Sequence, residues 1–332
     1  MAKGPTMYFD KDASVTDIAG ETVAVIGYGI QGRAFAANLR DSGVPVVIGN
    51  RDDEYRPDAV ADGFDTRSIA EAAAAASIVI LLIPDEAHPA VFSADLAPNL
   101  RDGDLFLLAH GFSLRFDRVD PAPGLDVALL APKMFGRPIR RRYLDGSGVL
   151  AFVDVVRDAT GRALARTLGV AAAVGFTRYG VLPVSTATET ELDLFQEQFL
   201  TPLLLDSVRV AFEVLVEQGC DPVAALLDMH ASGEMAEMMV EAATIGLYEV
   251  IEQQGSPTCR FGVQRQLGTL LGEDVRERGR AILAGIRDGS FLTALEREAA
   301  ADYPSLERYR EDYRSAPLTR AHEEYRAVLR SA

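Results

Sequence analysis

A short apolar run, TVAVIG (22–27), passes directly into Gly27-Tyr28-Gly29-Ile30-Gln31-Gly32 and from there into the helix-like RAFAANLRDSG. No other stretch limits the possible folds so severely. A run of this kind without polar alternation reads as a parallel strand covered on both faces. Glycines at the first, third and sixth positions permit a tight turn, close approach of a diphosphate to the backbone, and close packing of helix on strand. The anion then sits at the helix N-terminus. The pattern is common by itself; its place between strand and helix makes it a dinucleotide fingerprint. The next apolar run ends in IGNRDDEYR (48–56). Asp52 and Asp53 lie about 20 residues past Gly32, where an acidic side chain accepts from the ribose hydroxyls of NAD. Arg51 and Arg56 pull the other way, because guanidinium groups suit a 2′-phosphate. Three successive acids, Asp52, Asp53 and Glu54, tip the balance towards NADH over NADPH. The cofactor-binding set is Gly27, Tyr28, Gly29, Ile30, Gln31, Gly32, Asn50, Arg51, Asp52 and Asp53, joined by Pro84 and His110 near the ends of two later strands.

The same rhythm repeats. Apolar runs at 22–27, 44–49, 77–83, 104–110, 126–132, 148–155 and 173–179 alternate with helical stretches such as SIAEAAAAA. This predicts a Rossmann-like, doubly wound α/β domain over residues 1–184. After about residue 185 the strand signals stop, so 185–332 reads as an all-α domain. Gly219 and Asp221-Pro222 mark a helix stop and restart within it. The excess of 49 Asp+Glu over 33 Lys+Arg, a net charge of −16, argues against nucleic acid or an anionic membrane as partner and leaves small molecules. Two cysteines, Cys220 and Cys259, fit a reducing compartment without a disulfide framework. The segment MAKGPTMYFDKDAS has no apolar core of the signal-peptide kind, and no apolar run approaches the length of a membrane span. The expectation is a cytoplasmic protein.

One helical segment, TETELDLFQEQ (188–198), raises a sharper question. Asp193 and Glu197 are four apart, on one face of an α-helix, and the apolar FLTPLLL follows. They are either a solvated acidic stripe or half of a metal site. Together with YFDKDAS, VAVIGYGIQG, NLRDSG, IPDE (83–86), AHGF (109–112), APK (131–133) and FEVLVEQG, the segment resembles the ketol-acid reductoisomerase family. The resemblance runs from about residue 7 to 320, closely before residue 220 and more loosely after it. It implies a Rossmann-like domain followed by an all-helical, knotted domain that forms a homodimer with an active site shared between subunits. It also implies a reaction: a 2-acetohydroxy acid undergoes alkyl migration under Mg²⁺, and NAD(P)H reduces the 2-keto intermediate. By the same resemblance Asp193 and Glu197 bind magnesium, Lys133 is a catalytic cation beside the substrate oxygens, and His110 is an active-site histidine. The chemistry suits these residues, since Mg²⁺ prefers carboxylate oxygens and polarises a carbonyl.

The helical domain departs from the family pattern. The family's remaining metal ligands are two glutamates, four apart, supplied by the partner subunit. Aligning His230 of LLDMHASGEMAEMMVEAA (226–243) with the family's histidine puts Leu227 and Ala231 at those positions. Neither can bind a metal, although Asp228, Glu234, Glu237 and Glu241 are close by, and a shifted register would recruit His230 and Glu234. The family's Gly-Pro-Gly after APK reads Met134-Phe135-Gly136, and Ser256 of GSPTCRFG (255–262) matches a substrate-binding serine. Met134, Phe135, Leu227, Ala231 and Ser256 then form the substrate side. Half a metal cage weakens the migration, which needs both ions, more than hydride transfer. Lys133, His110 or a protonated Asp193 or Glu197 can assist the latter as a general acid. The expectation is an NAD(P)H-dependent reductase on this scaffold, acting without migration on a small C=O or C=N: a keto acid, a ketone or a cyclic imine. The alternatives are an authentic reductoisomerase of branched-chain amino-acid synthesis and a non-catalytic dinucleotide sensor. His88, just after IPDE, reads as a surface residue.

Overall fold

The computed structural model describes residues 6–331, so the first five residues of the N-terminal segment lie outside them. There are two compact units, Met1–Leu192 and Asp193–Ala332. In the first, eight strands form one sheet: β1 Val23–Ile26, β2 Val46–Gly49, β3 Asp65–Arg67, β4 Ile78–Leu81, β5 Leu105–Leu108, β6 Asp126–Pro132, β7 Ala151–Arg157 and β8 Val181–Pro183. Their order is β3-β2-β1-β4-β5-β6-β7-β8. Strands β1 to β6 are parallel, β7 is antiparallel to β6, and β8 is parallel to β7. The chain order reverses between β1 and β4, the crevice where an open α/β sheet takes its ligand.

The apolar runs make sense residue by residue. Ile78 and Ile80 of β4 enter one apolar cluster and Val79 and Leu81 the other, one on each face of the sheet. A central strand covered on both sides has no polar face to show. Five of the expected runs each contain a strand, and the sixth, 148–155, overlaps β7. The run at 173–179 is a correction: there the chain finishes the Ala163–Val174 helix, closed by Gly175 at φ +86°, and the strand follows at Val181–Pro183. Ala171, Ala173, Val174 and Phe176 are buried. A buried helix end and a buried strand are both continuous apolar runs, which periodicity over so few residues does not separate. Strand β3 was not foreseen, because the edge segment DTR carries no apolar signal.

The second unit is helical among the described residues, from the long Thr201–Glu217 helix to Pro317–Ser331. Gly219, at φ +90°, and Asp221, which caps the Pro222–Leu226 helix by accepting from Ala224 N–H at 2.8 Å, form the expected stop and restart. Its core is small, built on Phe212, Ala225, Leu226 and Ala321. Leu204, Leu205, Val214, Met235, Val240 and Leu270 are exposed. Two stretches, Gln196–Leu200 and Leu227–Ala231, are π turns, as in the bond from Ser232 N–H to Leu227 O at 3.0 Å. No helix of the described residues is long and apolar enough to cross a membrane. Cys220 and Cys259 are exposed and unbridged.

Candidate active site

The cofactor candidates follow the carboxyl ends of β1, β2, β4 and β5. Gly27 has φ +96°, and a Cβ there would lie 2.6 Å from the Leu82 carbonyl oxygen, so only glycine serves. A Cβ on Gly32 would run into the Gly27 carbonyl. Its absence lets the Ile30–Asp41 helix close on the strand. At Gly29, the residue before that helix, a Cβ would meet nothing within 4 Å. An open helix N-terminus on a glycine turn is the space and polarity that a diphosphate needs. Gln31 Nε2 donates to Met134 O at 3.3 Å, while its Oε1 is buried with no partner among the described residues. Such an acceptor is satisfied when a bound molecule supplies a donor.

The Tyr28 side chain lines a groove together with Gly29, Ile30 and Gly136. It is buried edge-on to Phe64, and its hydroxyl donates to Asp62 at 2.7 Å. Burial and that carboxylate push the phenol pKa up. Its N–H donates to Asn50 Oδ1 at 3.0 Å. Asn50 also donates to Arg51 O and to Asp53 Oδ1, each at 2.8 Å, and so ties the glycine turn to the loop after β2. Burial opposes ionisation of Asp53, but bonds from Arg51, Tyr55 N–H and Asn50 outweigh it and hold the carboxyl below its usual range. Arg56 donates to Asn50 O at 2.8 Å and Arg67 O at 3.1 Å, clamping the ends of β2 and β3. Arg51, with its side chain 79% exposed, pairs with Asp53 at 2.8 Å. Ile30, Asp52 and Pro84 are exposed.

Beside this lies a cluster of ionisable groups after β4, β5 and β6. Lys133 Nζ donates to Glu189 Oε1 at 3.3 Å, and Glu189 Oε2 accepts from Gly111 N–H at 2.9 Å. Glu189 is 1% exposed and the Lys133 side chain 23%, so an ammonium is held at the mouth of a buried carboxylate. That arrangement stabilises negative charge on an incoming oxygen. Sequence reasoning missed Glu189. The signal was present, since Glu189, Asp193 and Glu197 continue one spacing of four. The neighbour of Gly111, His110, has Nδ1 2.7 Å from Asp85 Oδ2 and its ring stacked on Phe112.

His88 is a second correction: it is 2% exposed, not a surface residue. Its Nε2 is 3.0 Å from Ile83 O and its Nδ1 2.8 Å from Ser113 Oγ. A carbonyl only accepts, so Nε2 carries the proton and Nδ1 accepts from the serine. Burial holds its pKa down against the pull of Asp85.

In the second unit Asp193 is half-buried near the end of the Thr186–Phe195 helix, and Glu197 is exposed in the π turn that follows. The pattern changes from α to π between them, so a face argument for a regular α-helix does not transfer unchanged. Met134 packs partly against the sheet's core, whereas Phe135, 83% exposed, stands out before the Gly136–Leu144 helix. Leu227 is half-buried, and Ala231 packs against the unit's own small core, while Asp228 and Ser232 on the same turn are exposed. Ser256 caps the Pro257–Gln266 helix, its Oγ accepting from Cys259 N–H at 3.3 Å. Among the described residues no three His, Cys, Asp or Glu side chains gather as a metal site within one chain.

Comparison with known proteins covers both units. The acetohydroxy acid isomeroreductase NADPH-binding domain matches residues 17–180, and the ketol-acid reductoisomerase C-terminal domain matches residues 187–331. The ketol-acid reductoisomerase (NADP(+)) of Caldivirga maquilingensis is 36% identical over 327 residues, 98% of either chain. That of Corynebacterium diphtheriae is 38% identical over 315 residues, 94% of this chain and 92% of its own. Among solved structures, an NADH-preferring ketol-acid reductoisomerase from an uncultured archean superimposes with a TM-score of 0.92 at 31% identity, covering 97% of this chain and 98% of its own.

Proposed function

The chain belongs to the ketol-acid reductoisomerase family, and on that premise we propose that it performs the whole family reaction: alkyl migration in a 2-acetohydroxy acid, then reduction by NAD(P)H, in cytoplasmic branched-chain amino-acid synthesis. This departs from the expectation of a reductase that has lost migration. The observation that carries it is the Lys133–Glu189–Gly111 cluster, with Asp193 and Glu197 continuing the same spacing along the chain. The case for a lost metal half rested on Leu227 and Ala231. Ala231 turns to its own core, and the exposed side of that π turn offers Asp228 and Ser232 instead. A π turn inserts one residue into the α spacing, so the side chains that share its exposed side differ from those of a regular α-helix.

Asp193 and Glu197 would hold magnesium, with Asp228 of a second copy as the further carboxylate. Hard oxygen donors suit that ion, and it supplies Lewis-acid polarisation of substrate oxygens. The chain's own groups do the rest. The Gly27–Gly32 turn binds the diphosphate of the cofactor. Lys133 Nζ donates to a substrate oxygen and is held in place by Glu189. Gly111 N–H fixes Glu189 and so fixes the lysine. His110 offers the ring nitrogen that faces away from Asp85 for proton transfer to the oxygen formed on reduction. NADH is the favoured reductant, since Arg56 is committed to two carbonyls and Asp53 stands ionised where a ribose would lie. The exposed apolar helix faces of the second unit support a homodimer that covers them and shares the site.

The test is oxidation of NADH and NADPH with 2-acetolactate, a simple 2-keto acid and a cyclic imine, each with EDTA and with excess Mg²⁺. Magnesium-dependent turnover of acetolactate to the dihydroxy acid is expected. EDTA-insensitive reduction of the keto acid or imine, with acetolactate inert, would restore the migration-free reductase. Cofactor binding without turnover of any of them would leave a sensor.

A further inference from the structure

The family resemblance left Asp85 of the IPDE segment without a role, and the geometry gives it one. We propose that Asp85 is a positioning residue that holds the His110 imidazole through Nδ1–H and commits Nε2 to the bound molecule. The proposal rests on the reading above, in which His110 lies at the reacting atoms.

Asp85 Oδ2 lies 2.7 Å from His110 Nδ1. An ionised carboxylate can only accept, so Nδ1 carries the hydrogen and Nε2 is the nitrogen whose proton can be gained or lost. Two further contacts keep the ring in this pose. Phe112 stacks on it with centroids 5.8 Å apart and planes 25° apart. The next peptide is pinned by Gly111 N–H to buried Glu189 at 2.9 Å. The nearest competitor for the carboxylate, His88, has Nδ1 3.6 Å from Asp85 Oδ1. Its two nitrogens are already engaged by Ser113 Oγ and Ile83 O, and burial keeps it neutral. Asp85 is therefore left to His110. A ring flip would exchange the Nδ1–H donor for a carbon and lose the charge-assisted bond, so the carboxylate selects both tautomer and rotamer.

The chain has four histidines, which makes the tautomer directly readable. Long-range ¹H–¹⁵N spectra of the full-length protein labelled at histidine should show His110 with hydrogen on Nδ1 and His88, the internal standard, with hydrogen on Nε2. Asp85→Ala should move His110 towards the Nε2–H form and leave His88 in place. On 2-acetolactate with Mg²⁺, Asp85→Ala should lower kcat about 10- to 100-fold, the size seen when an orienting carboxylate behind a histidine is lost, with KM and NADH affinity held within about twofold. Asp85→Glu should recover part of kcat. If wild-type His110 carries its hydrogen on Nε2, the proposal fails. It fails equally if the loss in Asp85→Ala falls on NADH affinity rather than kcat, which would make Asp85 a cofactor contact. Should Asp85→Ala not fold, Asp85→Asn and the wild-type spectrum carry the same decision. The spectrum needs no substrate, so an enzyme inert towards acetolactate would sink the reading of function and leave the Asp85–His110 pair to be judged separately.

Discussion

Both ends of the parallel strands carry buried charge, and the two ends differ in access. At the amino ends, Arg166 lies 4% exposed. Its guanidinium reaches Glu21 at 2.5 Å just before β1, Ser77 O at 2.8 Å before β4, Gly103 O at 2.9 Å before β5, and Asp126 at 3.1 Å at the start of β6. With Nε also on Glu21, every N–H is used. At the carboxyl ends, Lys133 faces a carboxylate just as buried but keeps 23% of its side chain open. A buried ion pair with all donors consumed ties strands together. One with an open side can take a ligand. Burial of charge alone therefore does not mark a site; burial with a remaining approach does.

The sharpest way to break this comparison is to cut both pairs alike. Arg166→Met strands Asp126 and Glu21 without their cation and should cost about 3–5 kcal/mol, as removal of one partner of a buried pair does. It should read out as a lower denaturant midpoint, with NADH affinity unchanged in the folded protein. Lys133→Met should act the other way round. Its kcat on 2-acetolactate should fall about 10²- to 10³-fold, about 3–4 kcal/mol of transition-state stabilisation, with a smaller shift in midpoint because Glu189 Oε2 keeps its bond from Gly111 N–H. A Lys133→Met protein as unstable as Arg166→Met, or an Arg166→Met protein as inactive as Lys133→Met, would erase the distinction between the two edges.

How much of this was legible in the sequence follows from the same physics. Strands β1, β2, β4, β5 and β6 were readable because a strand covered on both faces must be apolar throughout. The cofactor turn was readable because Gly27 and Gly32 are each demanded by a backbone collision. The stretch at 173–179 was misread because a buried helix end carries the same apolar run as a strand. His88 was misread because its burial depends on Ser113 and Ile83 O, one of them distant in the chain. Glu189 and Asp85 became visible only when their partners did: Lys133 lies 56 residues from Glu189, and His110 lies 25 from Asp85. In the second unit the π turn at Leu227–Ala231 could not be read at all, because such a turn leaves no mark in composition. Apolar pattern reveals layers. Polar pairing across long loops, and irregular helix turns, have to be seen.

Gly111 sharpens the comparison at an intermediate size. A Cβ there would lie 2.5 Å from Thr190 Oγ1 and 2.8 Å from Thr186 O, both on the helix that brings in Glu189. Gly111→Ala should force that helix and the loop after β5 apart, cost about 1–3 kcal/mol, and lower kcat as well by breaking the Gly111 N–H bond to Glu189. Loss of stability with full activity would show that Lys133 needs no fixed carboxylate.

The smallest effect tests whether position or saturation makes the difference. His88 sits at the carboxyl edge, yet both its nitrogens are consumed, as at the amino edge. Its folded pKa is lowered by burial, while the unfolded value stays near about 6.5. Below that pH the unfolded chain binds a proton that the native protein refuses. Stability is therefore level above about pH 6.5 and falls on acidification by at most about 1.4 kcal/mol per pH unit from this group. His88→Gln keeps a donor and an acceptor of similar reach and removes the titration, so urea midpoints between pH 7.5 and 5.5 should fall less steeply than in the wild type. Its kcat at neutral pH should stay close to wild type if saturation, and not the edge of the sheet, decides which buried groups take part in chemistry. Equal slopes in the two proteins would move the acid sensitivity to another group, and a large loss of kcat would return His88 to the site.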